Sequence, residues 1–119
     1  HAPLCTTGIG KAILANLPPE EWLSRLPEII PAHTPQTITD KDKILQELQS
    51  TRERGFAIDN CEHELNVRCV GVPVYNARGA LVAGISSSGA VQVMTDRKVM
   101  ECADILMGIT QRIKERLYA

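Results

Sequence analysis

The sequence predicts a single α/β domain of the α+β kind, an antiparallel sheet flanked by helices, with a long amphipathic helix at the C-terminal end. Two β-rich runs, Val67–Tyr75 and residues 80–88, are separated by Asn76-Ala77-Arg78-Gly79, which fits a four-residue hairpin turn. After them Val99, Ala103, Leu106, Thr110, Ile113 and Leu117 keep a helical period over residues 95–117. A length of 119 residues, 44% of them hydrophobic, suits one core, so residues 1–119 are expected to form one domain.

In chain order, Thr6-Thr7-Gly8-Ile9-Gly10 leads into a short helix reaching Leu17, in which Ile9, Ala12, Ile13 and Leu17 recur at helical spacing and a threonine can cap the start. Pro18-Pro19 ends it. Pro19 also suits the first position of a second short helix over residues 20–26, where its missing N–H is not needed. Pro27, Pro31 and Pro35 mark an irregular connection. Thr39-Asp40-Lys41-Asp42 has the pattern of a capping box and opens a helix with the apolar face Ile44, Leu45 and Leu48, which Gly55 is placed to close. Phe56-Ala57-Ile58-Asp59 alternates as a strand start, and the polar residues 60–66, with Glu62-His63-Glu64 among them, read as a loop. In the final helix Asp96 at the start and Lys114 and Arg116 at the end match the helix dipole.

Composition excludes several classes of function. The 13 basic and 14 acidic side chains leave a net charge of -1 and are interspersed, so no stripe exists for a nucleic-acid backbone. Glu20-Glu21 and Arg52-Glu53-Arg54 read as solvated helix faces. The only aromatic residues, Trp22, Phe56, Tyr75 and Tyr118, are scattered and form no ladder for stacking bases. Contact with DNA is therefore expected only from another segment, and the start at His1 without a methionine reads as a cut from a longer protein. No apolar run approaches the roughly 20 residues that span a bilayer, and no basic-then-apolar leader opens the chain, so a cytoplasmic location without membrane contact is expected.

Cys5, Cys61, Cys69 and Cys102 form no C-x-x-C pair and are expected to be reduced thiols. His33 and His63 are lone histidines, and Cys61-Glu62-His63 lacks a second ligand pair at zinc spacing, so neither metal nor cofactor is expected. Cys69 has no basic partner at a fixed spacing, and thiols are commonly buried as small hydrophobes, so no catalytic residue is assigned and no enzyme is expected.

The hairpin carries the most information. A symmetric turn places Tyr75 opposite Ala80, Val72 opposite Ala83 and Val70 opposite Ile85, with successive pairs on opposite faces. One face, Val70, Val72 and Val74 against Leu81, Ala83 and Ile85, is an ordinary core face that a helix can cover. The other face sets Gly71 opposite Gly84, Cys69 opposite Ser86 and Val67 opposite Ser88, so its middle lacks side-chain volume and its end carries hydroxyls and a thiol. Paired glycines signal close approach to the backbone, either by a ligand or by a tightly packed helix, and the pattern leaves both readings open. Gly8-Ile9-Gly10 at a helix start adds unpaired N–H groups and a positive dipole end that suit an anion such as a carboxylate.

Four segments together, Gly8-Ile9-Gly10-Lys11-Ala12-Ile13-Leu14-Ala15, Thr51-Arg52-Glu53-Arg54-Gly55-Phe56-Ala57, Glu62 through Val74, and Ala83-Gly84-Ile85-Ser86-Ser87-Ser88-Gly89, resemble the effector-binding domain of IclR-type transcription regulators. The resemblance runs nearly end to end with the motifs in order. It implies a GAF-like fold, a small organic-acid effector such as an oxo acid, sugar acid or aromatic acid, and self-association as a dimer or tetramer. It also implies a winged helix-turn-helix DNA-binding domain N-terminal to this chain. Carried over by position, the effector site comprises the backbone at Gly8 and Ile9, the carboxylate of Asp59, the side chains of Val67 and Cys69, and the hydroxyls of Ser86 and Ser88. By residue type alone Asp59 also suits a cap on the following turn, and the resemblance moves it to the pocket. Two positions depart from the family pattern: Ile9, where a smaller residue is usual and which narrows the pocket, and Asn66, where glycine is usual and which tolerates the same left-handed backbone. The alternatives to a sensor are a structural oligomerisation module and a thiol-dependent enzyme.

Overall fold

The computed structural model describes residues 5–116. The expected helical position Leu117 lies outside them. In order, the elements are α1 (Gly8–Ala15), a 3-10 turn (Pro19–Glu21) running into α2 (Trp22–Arg25), α3 (Lys41–Arg54), β1 (Ala57–Asn60), β2 (Val67–Tyr75), β3 (Leu81–Ala90) and α4 (Asp96–Arg116). The sheet is antiparallel in the order β1-β2-β3.

Local chemistry accounts for most element ends. The Thr7 hydroxyl accepts the Gly10 N–H at 3.0 Å and starts α1. Asp40 accepts the N–H groups of Asp42 and Lys43 and starts α3. The reciprocal half of a capping box is absent there, because the third helical residue is Lys43. Gly55 ends α3 in the left-handed region, φ 90°, and Asn66 adopts φ 64° before β2, the conformation its residue type tolerates. Helix α1 ends at Ala15, two residues before the expected Leu17, as the Asn16 and Leu17 N–H groups bond to Ile13 and Leu14 carbonyls.

The hairpin register differs from the symmetric one. Asn76 and Ala80 close a tighter turn, with the Asn76 side chain accepting the Arg78 and Ala80 N–H groups and Gly79 at φ 81°, so Tyr75 pairs with Leu81 rather than Ala80. A bulge at Val74/Tyr75 then adds a second one-residue step. Gly71 consequently faces Ser86, Cys69 faces Ser88, Val70 faces Ser87, Val72 faces Ile85 and Gly84 faces Pro73. Each single step inverts the faces and the two together restore them, so Cys69, Gly71, Gly84, Ser86 and Ser88 still share one side.

Each face of the sheet has its own core. Val70 and Val72 pack with Phe56, Met94, Val99 and Ala103 under α4. On the other side α1 lies between the sheet and α3, where Leu14, Ala15, Trp22, Leu26, Ile44 and Leu48 cluster. Fully burying a valine or leucine contributes about 2 kcal/mol, so each of the two clusters stabilises the sheet on its own side. Being sandwiched, α1 buries Lys11, Ala12, Leu14 and Ala15, whereas the expected face residues Ile9 and Ile13 are only half-buried. Among the described residues no helix is long and apolar enough to cross a membrane.

Candidate functional site

The glycine face meets the N-terminus of α1. A Cβ on Gly71 would fall inside the Gly8 carbonyl and 2.7 Å from the Ile9 nitrogen, and one on Gly84 would lie 2.8 Å from Ile9 Cγ1. Gly71 and Gly84 share this face without being cross-strand partners, and both are explained by the packed helix, the second of the two readings the sequence left open. Close seating of α1 brings its first turn beside Cys69, and a Cβ on Gly8 would lie 3.2 Å from both the Cys69 Cβ and the Gly71 nitrogen.

Beside that contact lies a cleft of about 170 Å³. All seven residues assigned from the sequence, Gly8, Ile9, Asp59, Val67, Cys69, Ser86 and Ser88, line it. Their origins differ: Gly8 and Ile9 come from the start of α1, Asp59 from β1, Val67 and Cys69 from β2, and the two serines from β3. Thr7, His63 and Glu64 line the cleft as well and had no individual signature in the sequence. His63 sits edge-on to His33 at 5.2 Å, with its Nδ1 3.5 Å from the Thr6 hydroxyl.

Both functions weighed for Asp59 are present in one carboxylate. Its Oδ1 accepts the Glu62 N–H at 2.8 Å, capping the turn, while the side chain also borders the cleft. Burial pushes the Asp59 carboxyl above its usual range, partly offset by the Glu62 N–H, the Lys11 charge and the His63 N–H. Burial also raises the Cys69 thiol, the neighbouring Asp59 charge raises it further, and a hydrogen bond from Ser88 opposes the shift. Such a thiol is a poor nucleophile, and the described cysteines are all free.

Behind Asp59 lies a feature hidden in the polar loop. Lys11 and Glu62, 2% and 4% exposed, form a buried ion pair with Nζ 2.7 Å from Oε2. Burial pushes the Glu62 carboxyl up and the Lys11 charge pulls it back. The sequence carried no signal for it, since Lys11 falls opposite the apolar positions Ile9, Ala12 and Ile13 and is buried only because α1 is covered on both sides.

The arrangement can hold a small, mainly polar molecule with two chemically different ends. First-turn N–H groups of α1, which have no acceptor within the helix, and the Ser86 and Ser88 hydroxyls offer donors. The carboxyl oxygens of Asp59 and Glu64 offer acceptors, and Ile9 and Val67 supply apolar walls. Among the described residues no group of three His, Cys, Asp or Glu side chains is placed to hold a metal ion.

Comparison with known proteins bears on the same fold. The family model "Bacterial transcriptional regulator IclR C-terminal" matches residues 1–115. The HTH-type transcriptional regulator BhcR of Paracoccus denitrificans is 34% identical over 108 residues, covering 90% of this chain and 39% of BhcR. The crystal structure of Thermotoga maritima IclR matches with a TM-score of 0.87 at 38% identity, covering 98% of this chain and 47% of that one. A double mutant of the PobR inducer-binding domain from Acinetobacter, in complex with 3-hydroxybenzoic acid, matches with a TM-score of 0.88 at 25% identity over 95% of this chain and 66% of that one. The chain spans well under half the length of the curated relatives it matches, 39% of BhcR. These relatives are transcription regulators, not enzymes. With a family match over residues 1–115 and an antiparallel sheet flanked by helices shared with these structures, the chain belongs to the bacterial IclR family of transcriptional regulators, as their C-terminal, effector-binding domain.

Proposed function

We propose that the cleft binds a small organic acid and that occupancy controls DNA binding by a winged helix-turn-helix domain in the full-length protein. The observation that carries this reading is the cleft itself, where the α1 N-terminus, Ser86, Ser88 and Asp59 converge from three elements on one space of about 170 Å³. An acid's carboxylate or oxo group is matched by the α1 N–H groups and serine hydroxyls, and a hydroxyl elsewhere on it by Asp59. The volume lies below the roughly 300 Å³ of sites for drug-sized ligands, which favours the smaller oxo and sugar acids over aromatic ones. The PobR domain, seen with 3-hydroxybenzoic acid, supports the same class of ligand.

A purely structural oligomerisation module would fill this face with side chains, and the open polar cleft counts against it. Self-association as a dimer or tetramer is compatible with sensing and is part of the proposal. The acid then shifts an equilibrium between states, which requires that it bind one state more tightly than the other.

Calorimetry with pyruvate, glycerate and 3-hydroxybenzoate tests the reading on the native protein, Asp59→Asn and Ser88→Ala. The expected result is saturable binding of pyruvate or glycerate, weakened by both substitutions. Saturable binding unaffected by either change would remove the cleft as the site, and no binding of any acid by native protein would remove the acid as the ligand class.

A further inference from the structure

Among the described residues strand β1 is an edge strand, and two side chains hydrogen-bond its outward backbone groups. Asp59 pairs toward Cys69 in β2, which leaves the Ile58 carbonyl and the Asn60 N–H directed away from the sheet. Lys11 Nζ donates to the Ile58 carbonyl at 2.8 Å, and the Asn60 N–H donates to Glu62 Oε2 at 2.9 Å. The same Oε2 accepts Lys11 Nζ at 2.7 Å, so the ion pair occupies the place of a neighbouring strand. Thr37 clamps the Glu62 carbonyl and Thr34 that of Cys61, which holds the loop against this pair.

These bonds join the two sides of the cleft. Lys11 lies one turn into the helix whose start supplies Gly8 and Ile9, and the Glu62 N–H holds the Asp59 carboxylate at 2.8 Å. A desolvated ion pair is weak evidence for stability, since well-packed apolar side chains often serve as well or better. Its directional bonds are what apolar groups lack.

We propose that Lys11 and Glu62 are positioning residues for effector binding, fixing the separation between the α1 N-terminus and Asp59 across the cleft. The inference rests on the reading of the cleft as the effector site, but its test has a readout that needs no effector.

Two variants separate geometry from stability. Lys11→Met/Glu62→Leu replaces the pair by apolar side chains, and Glu62→Asp keeps the charge while withdrawing it by one methylene. Iodoacetamide labelling, read peptide by peptide, compares Cys69, which sits beside Asp59 in the cleft, with Cys102 in α4 on the far face of the sheet, alongside a thermal melt. The expected result is a folded protein in which Cys69 labelling rises about tenfold while Cys102 labelling stays at the native rate. Native Cys69 rates in a folded variant, an equal rise at both cysteines, or failure of both variants to fold would overturn the proposal. If only the double variant fails to fold, Glu62→Asp decides on the same readout. Titration with pyruvate completes the test, with affinity expected to fall about tenfold in the same variants. Native affinity in a folded variant overturns the proposal, whereas native protein that binds no acid removes the effector reading and leaves the labelling to decide the positioning role.

Discussion

The Gly8 carbonyl occupies the space that a side chain on Gly71 would need, so helix and strand touch backbone to backbone. Neither partner is a flexible side chain that can turn aside. Gly71→Ala should therefore lift the start of α1 from the sheet, costing about 3 kcal/mol, and should abolish acid binding at the cleft. Urea denaturation checks the first effect and calorimetry the second. A stable variant with native affinity would show that α1 and β2 can separate without cost.

Gly84 is a softer contact, because the atom in the way is Ile9 Cγ1. Gly84→Ala should cost about 1 kcal/mol, and much of that should be recovered in the Ile9→Ala/Gly84→Ala pair, a coupling that a double-mutant cycle measures. Ile9→Ala alone should widen the cleft. Its expected consequence is measurable binding of 3-hydroxybenzoate, the largest of the three acids, and calorimetry showing none in the variant would count against Ile9 as the wall that limits the cleft.

Stability should also depend on pH through Asp59. Its carboxyl is raised in the folded state by burial, so the native protein holds that proton more tightly than the unfolded chain. This contribution is fully present below the ordinary carboxylate range and is lost as pH rises through the folded value. Glu62 is shifted in the same direction by burial and adds to it. Asp59→Asn, whose amide oxygen can still accept the Glu62 N–H, should flatten the decline as pH rises from the ordinary carboxylate range. Urea midpoints across that range provide the measurement, and an unchanged slope would assign the pH dependence elsewhere.

The ends of α3 give a prediction independent of the cleft. Asp40→Ala removes the acceptor for two first-turn N–H groups, and Gly55→Ala forces a side chain into φ 90°. Each should cost about 1 kcal/mol. Since the two sites are remote from one another along the helix, their effects on the urea midpoint should add.

Much of the fold was legible because it depends on near neighbours in the chain. The caps at Thr7 and Asp40, the left-handed Gly55 and Asn66, and the alternation of β2 each follow from residue types within a few positions. The hairpin register was legible only as to faces. Asn76 tightened the turn and the bulge at Val74/Tyr75 moved the pairing again, so Gly71 met Ser86 although the grouping by side survived.

The sequence by itself determined which residues could share the cleft face: Val67, Cys69, Gly71, Gly84, Ser86 and Ser88 follow from a period of two, which two compensating one-residue steps left intact. Only the tertiary structure decided that α1, rather than a ligand, fills the space above Gly71 and Gly84, and that Glu62 is a buried partner of Lys11 rather than one more charge in a polar loop. The physical reason is distance along the chain. Alternation and capping act over a few residues, whereas the contacts between Gly8 and Gly71 and between Lys11 and Glu62 exist only after both sides of the sheet have been covered.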